Sequence, residues 1–190
     1  MLIWTTSTLA RAGAVRAWLT RTGSLSEHLR GACGDGAFRV ERLMQCRARA
    51  WPDERRVLGL PADALPLVRE VLLFCGDTPV VFARSLAAER HLDGPWRALR
   101  GLGARPLAPM LFAEPLIVRG ALECRRLGTR DPLYRRAARA VDGLPGNLWA
   151  RRSVFHRDGA PLLVSEVFLP CTSSSMKMSL AGTYLPPTWE

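Results

Sequence analysis

Apolar and polar positions along the chain alternate in some stretches and recur near every 3.6 residues in others, the two periods of strands and helices. Residues 68–75 (VREVLLFC) and 78–86 (TPVVFARSL) are short runs rich in β-branched and aromatic side chains, separated by Gly76-Asp77. That arrangement predicts an antiparallel hairpin. Residues 148–157 and 161–169 form a second such pair around Arg157-Asp158-Gly159-Ala160, whose Asp-Gly is the strongest local turn signal in the chain. A strand is also predicted over 38–50, where Phe38, Val40, Leu43 and Cys46 are only partly in register, so a bulge is expected. Trp51-Pro52 closes it, and 116–127 reads as one further strand.

Helical spacing is sparser. Leu9, Val15, Trp18 and Leu19 between arginines predict an amphipathic helix over 7–20, ending near Gly23. Ser24 and Glu27 form an S-x-x-E capping box, which starts a short second helix carrying Leu25, His28 and Leu29. The glycine-rich stretch 31–36 then reads as a turn. A helical piece over 95–102 runs into Gly101 and Gly103, and Asp131-Pro132 opens an arginine-rich helix over 131–141. Strands joined by tight turns, with a few helices, predict an α+β fold built on an antiparallel sheet.

The length of 190 residues suits a single domain, taken here as 1–170 with a tail over 171–190 of no assigned role. At 48% hydrophobic and 23% charged residues the composition is that of an ordinary globular protein. The net charge of +10 raises nucleic acid as a partner. However, the basic residues, all arginine except Lys177, are dispersed, and clusters such as Arg135/Arg136/Arg139 have few neighbouring aromatics. Solvated faces are the simpler reading, so no nucleic-acid partner is expected.

Five cysteines without a C-x-x-C pair point to free thiols in a reducing compartment. The N-terminal apolar stretch is broken by Arg11 and Arg16, and no run approaches the roughly 20 apolar residues of a spanning helix. A soluble, cytoplasmic protein without membrane insertion is expected.

Several catalytic templates are missing from the sequence: the G-x-S-x-G elbow, the phosphate-binding G-x-x-x-x-G-K, and a G-x-G-x-x-G after a strand. His28, His91 and His156 are scattered, so no metal site is expected. The informative features are charges inside strands that otherwise look buried. Arg69 shares a face with Val71, Leu73 and Cys75, and a buried arginine requires an anion. Glu166 shares a face with Leu162, Val164 and Phe168, surroundings that favour a protonated carboxyl. Spacing alone also allows the lesser reading that Arg69 and Glu166 pair with each other, or with Arg119, as core ion pairs.

A series of motifs then narrows the reading. Trp18-Leu19 with Ser24-Leu25-Ser26, the LVREVLL segment from Leu67, Ala83-Arg84-Ser85, Leu102-Gly103 with Pro106-Leu107 and Leu111-Phe112, Arg119 with Glu123, Trp149-Ala150-Arg151-Arg152-Ser153, and the stretch 161–170 occur in this order. In these motifs and their order, over about 18–170, the chain resembles the chorismate lyase family. The resemblance implies a six-stranded antiparallel sheet with helices over one side and an internal site closed by helical flaps.

It also implies an activity. Chorismate would be cut, without metal or organic cofactor, into 4-hydroxybenzoate and pyruvate, the first committed step of ubiquinone biosynthesis, by a monomer. By position, Arg69 and Glu166 would be the catalytic pair. Arg69 would grip the ring carboxylate bidentately and Glu166 would hydrogen-bond the 4-hydroxyl. The backbone amide of Leu107 would help hold the carboxylate, and Leu25 would line the pocket from the flap. Arg84, and Arg151 or Arg152, would be candidates for the enolpyruvyl carboxylate.

The chain departs from the family pattern at Ala108, where glycine is usual, at Ala87-Ala88, where a proline is common, and at Leu25, where methionine can occur. A second expectation from the same fold is a non-catalytic sensing domain, as in some bacterial transcription regulators. Those carry an N-terminal winged helix, for which the residues before Trp18 leave no room.

Overall fold

A computed structural model describes residues 4–6, 12–33 and 37–170. The expectations for the first part of the N-terminal helix (7–11), the turn at 34–36 and the tail over 171–190 lie outside the described residues.

Among the described residues the core is a seven-stranded sheet in which every ladder is antiparallel. Its strands are β1 (Phe38–Arg47), β2 (Leu67–Cys75), β3 (Thr78–Ala87), β4 (Val118–Arg119), β5 (Glu123–Gly128), β6 (Asn147–Arg157) and β7 (Ala160–Phe168). They run in the order β1-β2-β3-β7-β6-β4, with β5 also on β6. Both expected hairpins are present, and the pairing of β3 with β7 joins them at the centre. At the β6–β7 turn Asp158 and Gly159 have φ of 50° and 73°, the left-handed pair that a two-residue hairpin turn of matching twist requires. The bulge expected in β1 falls between Arg42 and Met44.

The stretch 116–127 is two strands rather than one, which gives seven strands instead of six. Gly120 marks the break: its N–H donates to the Val154 carbonyl at 2.7 Å, and a Cβ there would sit 3.1 Å from that oxygen. A side chain there would crowd that oxygen, so glycine suits the close approach of the two backbones. On either side, β4 pairs with Phe155 and His156, and β5 with 147–152, so the two short strands share one edge of β6.

Helices cover both faces of the sheet, not one. Over the face carrying Arg69 lie α1 (Arg16–Thr20), α2 (Leu25–Ala32) and α4 (Ala108–Phe112). Trp18, Leu25 and Leu29 pack there on Val71, Leu73 and Val81. Over the other face lie α3 (Pro52–Leu58), a helix unforeseen beyond Trp51-Pro52, and α5 (Pro132–Ala140). Leu58 packs on Val68, Leu86 and Leu163, while Leu133, Tyr134 and Ala137 pack on Leu72, Phe82 and Val167. Two covered faces explain why LVREVLLF reads as a nearly unbroken apolar run: alternate residues are buried on opposite sides. Each large side chain so buried contributes about 1.5–3 kcal/mol.

Side-chain caps start α2 and α5, with Ser24 supplying its half of the expected box. Ser24 accepts from the Glu27 N–H at 3.1 Å to start α2, and Asp131 accepts from Leu133 at 2.9 Å to start α5. The expectation of free thiols fails for one pair: Cys33, at the end of α2, and Cys75, at the end of β2, form a disulfide. Their Cα atoms lie 5.2 Å apart although 42 residues separate them, a proximity that only the packing of α2 on β2 creates. Cys46 and Cys124 are free. Among the described residues no helix is long and apolar enough to cross a membrane.

Candidate active site

Strand register places the site residues in two neighbouring rows across the sheet. Arg69 on β2 stands opposite Ser85 on β3, then Val164 on β7 and Ser153 on β6. Val71, Ala83, Glu166 and Arg151 form the next row on the same face, two residues along. Arg69 and Glu166 are therefore two strands and one side-chain step apart, about 12 Å at Cα from ideal strand spacings. Both line one pocket between the sheet and the helices over this face. Val71, Leu73 and Val164 form its apolar floor, α2 and α4 cover it, and Phe112 stands at its mouth.

Arg69 is buried, and its guanidinium is clamped by carbonyls. Nη2 donates to Gly103 at 3.1 Å and Arg105 at 2.8 Å, and Nε donates to Gly103 at 3.3 Å. Among the described residues no carboxylate lies within ion-pair distance of it. Burial, helped by the positive charge of Arg42, pushes its pKa down to about 10. A cation held this way gains most from an incoming anion. The loop that clamps Arg69 leads directly into Leu107, which caps α4 and lines the pocket. Ala108, at the family's usual glycine, is the first residue of α4, a right-handed conformation that has no need of glycine. Leu25, the first residue of α2, closes the pocket from above.

Glu166 pairs with neither Arg69 nor Arg119. Its partner is Arg151, which donates from Nε to Oε2 at 2.5 Å. Arg151 is almost wholly buried and also donates from Nη1 to the carbonyls of Trp18 and Arg21, at 2.8 and 2.9 Å. The glutamate is thus an oriented acceptor, anchored through Arg151 to the segment before α2, rather than an isolated carboxyl in apolar surroundings.

Two proposed binders are elsewhere. Arg84 follows Ala83 and precedes Ser85, both pocket residues, so the period of two turns it to the opposite face. There it donates to Glu54 at 2.7 Å and Glu70 at 2.6 Å, and its guanidinium stacks 3.9 Å from the Trp51 ring centre. Arg152 turns away from the pocket for the same reason and pairs with Glu123 at 2.7 Å. Of the three arginines considered for the enolpyruvyl carboxylate, only Arg151 faces the pocket.

Sequence reasoning passed over Ser85 and Ser153, small buried hydroxyls on the pocket face. It also treated Arg119 only as a motif residue and a possible ion-pair partner. Arg119 reaches the pocket from β4 and donates to Ser153 Oγ at 3.0 Å and the Gly23 carbonyl at 3.2 Å. The available signal was their period, since Ser85 and Ser153 alternate with Arg84 and Arg152.

An antiparallel sheet whose covered face holds unpaired guanidinium charge above an apolar floor is an arrangement suited to a small organic anion. Comparison with known proteins narrows the class. The chorismate lyase family profile matches residues 2–177, and the chain belongs to that family. A probable chorismate pyruvate-lyase of Azoarcus sp. (strain BH72) is 50% identical over 160 residues, covering 82% of this chain and 84% of that one. One from Nitrosospira multiformis is 46% identical over 155 residues, covering 82% and 86%.

Solved structures with a similar fold include PhnF from Mycobacterium smegmatis, with a TM-score of 0.57 at 14% identity, covering 79% of this chain and 65% of that one. A GntR-family transcriptional regulator from Enterococcus faecalis V583 has a TM-score of 0.52 at 13% identity, covering 80% and 99%. At such identities the likeness is one of fold alone.

Proposed function

We propose that the chain is a chorismate pyruvate-lyase that converts chorismate to 4-hydroxybenzoate and pyruvate in the cytoplasm, as a monomer, opening the route to ubiquinone. The observation that carries this reading is the opposed pair in one pocket: a carboxylate-seeking Arg69 and a hydrogen-bond acceptor, Glu166, two strands apart. A ring with a carboxylate at C1 and a hydroxyl at C4 spans the two. Family membership and the names of the relatives support it.

In this reading Arg69 holds the ring carboxylate with the Leu107 amide beside it, and Glu166 accepts from the 4-hydroxyl. Leu25 and the floor residues exclude water and hold the enolpyruvyl arm against C4. The C3–O bond breaks, the C4 hydrogen passes to the departing enolpyruvyl group, and its methylene becomes the methyl of pyruvate. Atoms balance without water, oxidant or added cofactor, and aromatisation supplies the driving force. The guanidinium charge facing the pocket stabilises negative charge that grows on the departing oxygen.

The test is incubation of the purified protein with chorismate in the presence of a metal chelator, with both products identified by chromatography. Equimolar 4-hydroxybenzoate and pyruvate are expected. Binding of 4-hydroxybenzoate without any pyruvate release from chorismate would overturn the assignment.

A further inference from the structure

Among the described residues three guanidinium groups face the pocket, those of Arg69, Arg119 and Arg151, against the one carboxylate of Glu166. Arg151 is neutralised by that carboxylate, and the backbone carbonyls of Trp18 and Arg21 take its Nη1. Arg69 and Arg119 have no carboxylate within ion-pair distance among the described residues. Two positive charges thus remain uncompensated in one chamber, whereas the hydroxybenzoate product brings only one carboxylate.

Arg119 enters from the far side of the sheet, beyond β6, while Arg69 stands on β2. Its direction is set by the bond from Nε to Ser153 Oγ and by Nη1 on the Gly23 carbonyl. Nη2 donates to no protein atom among the described residues. The rings of Phe112 and Phe155 lie 5.9 and 5.5 Å from its Cζ, so they flank the guanidinium without neutralising it. Burial and the nearby charge of Arg151 lower its pKa, against the weaker pull of Glu166.

We propose that Arg119, oriented by Ser153, forms a second carboxylate subsite, which takes the enolpyruvyl carboxylate of a dicarboxylate substrate while Arg69 takes the ring carboxylate. The identity of that substrate rests on the lyase reading above; the two-anion subsite itself rests on the charge count and geometry of the pocket. The arrangement distinguishes substrate from product. Chorismate engages both guanidinium groups, and 4-hydroxybenzoate engages only Arg69, so cleavage of the C3–O bond leaves the second carboxylate on the pyruvate and lets it depart separately.

The test compares two stable ligands that differ by one carboxylate, 3-(carboxymethoxy)benzoate and 3-methoxybenzoate, by calorimetry on the wild-type chain and on Arg119→Gln, Arg119→Lys and Arg69→Gln. The wild type is expected to bind the dicarboxylate at least about tenfold more tightly, the range for one hydrogen-bonded charge. Arg119→Gln abolishes that preference while leaving 3-methoxybenzoate and 4-hydroxybenzoate within about twofold, and Arg119→Lys restores part of it. Arg69→Gln weakens all three ligands.

Equal wild-type affinity for the matched pair overturns the proposal, and this arm needs no variant to fold. Equal losses for monocarboxylates and dicarboxylates in Arg119→Gln overturn it as well. Pyruvate release from chorismate is measured separately. A preserved dicarboxylate preference without pyruvate release refutes the lyase reading and leaves the subsite standing.

Discussion

Arg151 and Glu166 stand directly opposite each other on β6 and β7, and their side chains meet at 2.5 Å on the pocket face. The acceptor expected to meet the substrate hydroxyl is therefore also the counterion of a nearly inaccessible arginine. Removing it does two things at once, and the choice of substitution separates them.

Glu166→Ala leaves Arg151 buried without its anion and is expected to cost about 3 kcal/mol of stability. Glu166→Gln keeps an acceptor oxygen and nearly the same volume, so it should cost less while still weakening the bond to the 4-hydroxyl. Denaturant unfolding of both variants, set beside kcat and KM for chorismate, checks this. An alanine variant as stable as the wild type would contradict the described pairing.

The ligand-free pocket holds Arg69 at a pKa of about 10 through burial and the charge of Arg42. The free protein disfavours that proton and a bound carboxylate favours it, so affinity for an anion must fall as pH rises through this value. Benzoate, which has no phenol to ionise, is expected to bind evenly from about pH 7 to 9 and then weaken by up to about tenfold per pH unit. Arg69→Gln should bind weakly with no such alkaline limb. Titrations of benzoate against pH, with circular dichroism confirming the fold at each point, decide the matter.

Arg84 supplies a control that the motif series alone would have misassigned. It is enclosed by Glu54, Glu70 and Trp51 on the face away from the pocket, so Arg84→Met leaves buried Glu54 without its cation, while Glu70 keeps Arg136. A loss of about 3–5 kcal/mol is expected. The folded fraction should keep the wild-type KM for chorismate and the wild-type affinity for 4-hydroxybenzoate. A raised KM in a stably folded variant would return Arg84 to the list of binders.

The Cys33–Cys75 bond closes a long loop that contains all of β1 and α3. In the chain-entropy account a loop of this length contributes about 3–4 kcal/mol. Reduction of the purified protein should expose two additional titratable thiols and lower Tm. Cys33→Ser with Cys75→Ser should reproduce the lower Tm and become insensitive to reductant.

Much of the architecture was legible in residue order. The Gly76-Asp77 and Asp158-Gly159 turns marked both hairpins, the S-x-x-E box marked α2, and Asp131-Pro132 marked α5. These are local signals, in which a few consecutive residues decide a turn or a cap. The break at Gly120 and the helix α3 escaped, because one depends on the approach of the Val154 carbonyl and the other begins at a proline that reads as a stop.

Sequence by itself determined that Arg69 and Glu166 are charged residues on otherwise apolar strands, and its motif order placed the chain in its family. It did not determine which neighbours they meet. Adjacent residues on a strand face opposite ways, so Arg84 and Ser85, or Arg151 and Arg152, are divided only once the sheet has two covered faces to assign. Arg119 becomes a pocket residue, and Cys33 the partner of Cys75, because long-range pairing closes β4 onto β6 and packs α2 on β2. Contacts of that kind depend on chain segments far apart in order, and only the folded arrangement brings them together.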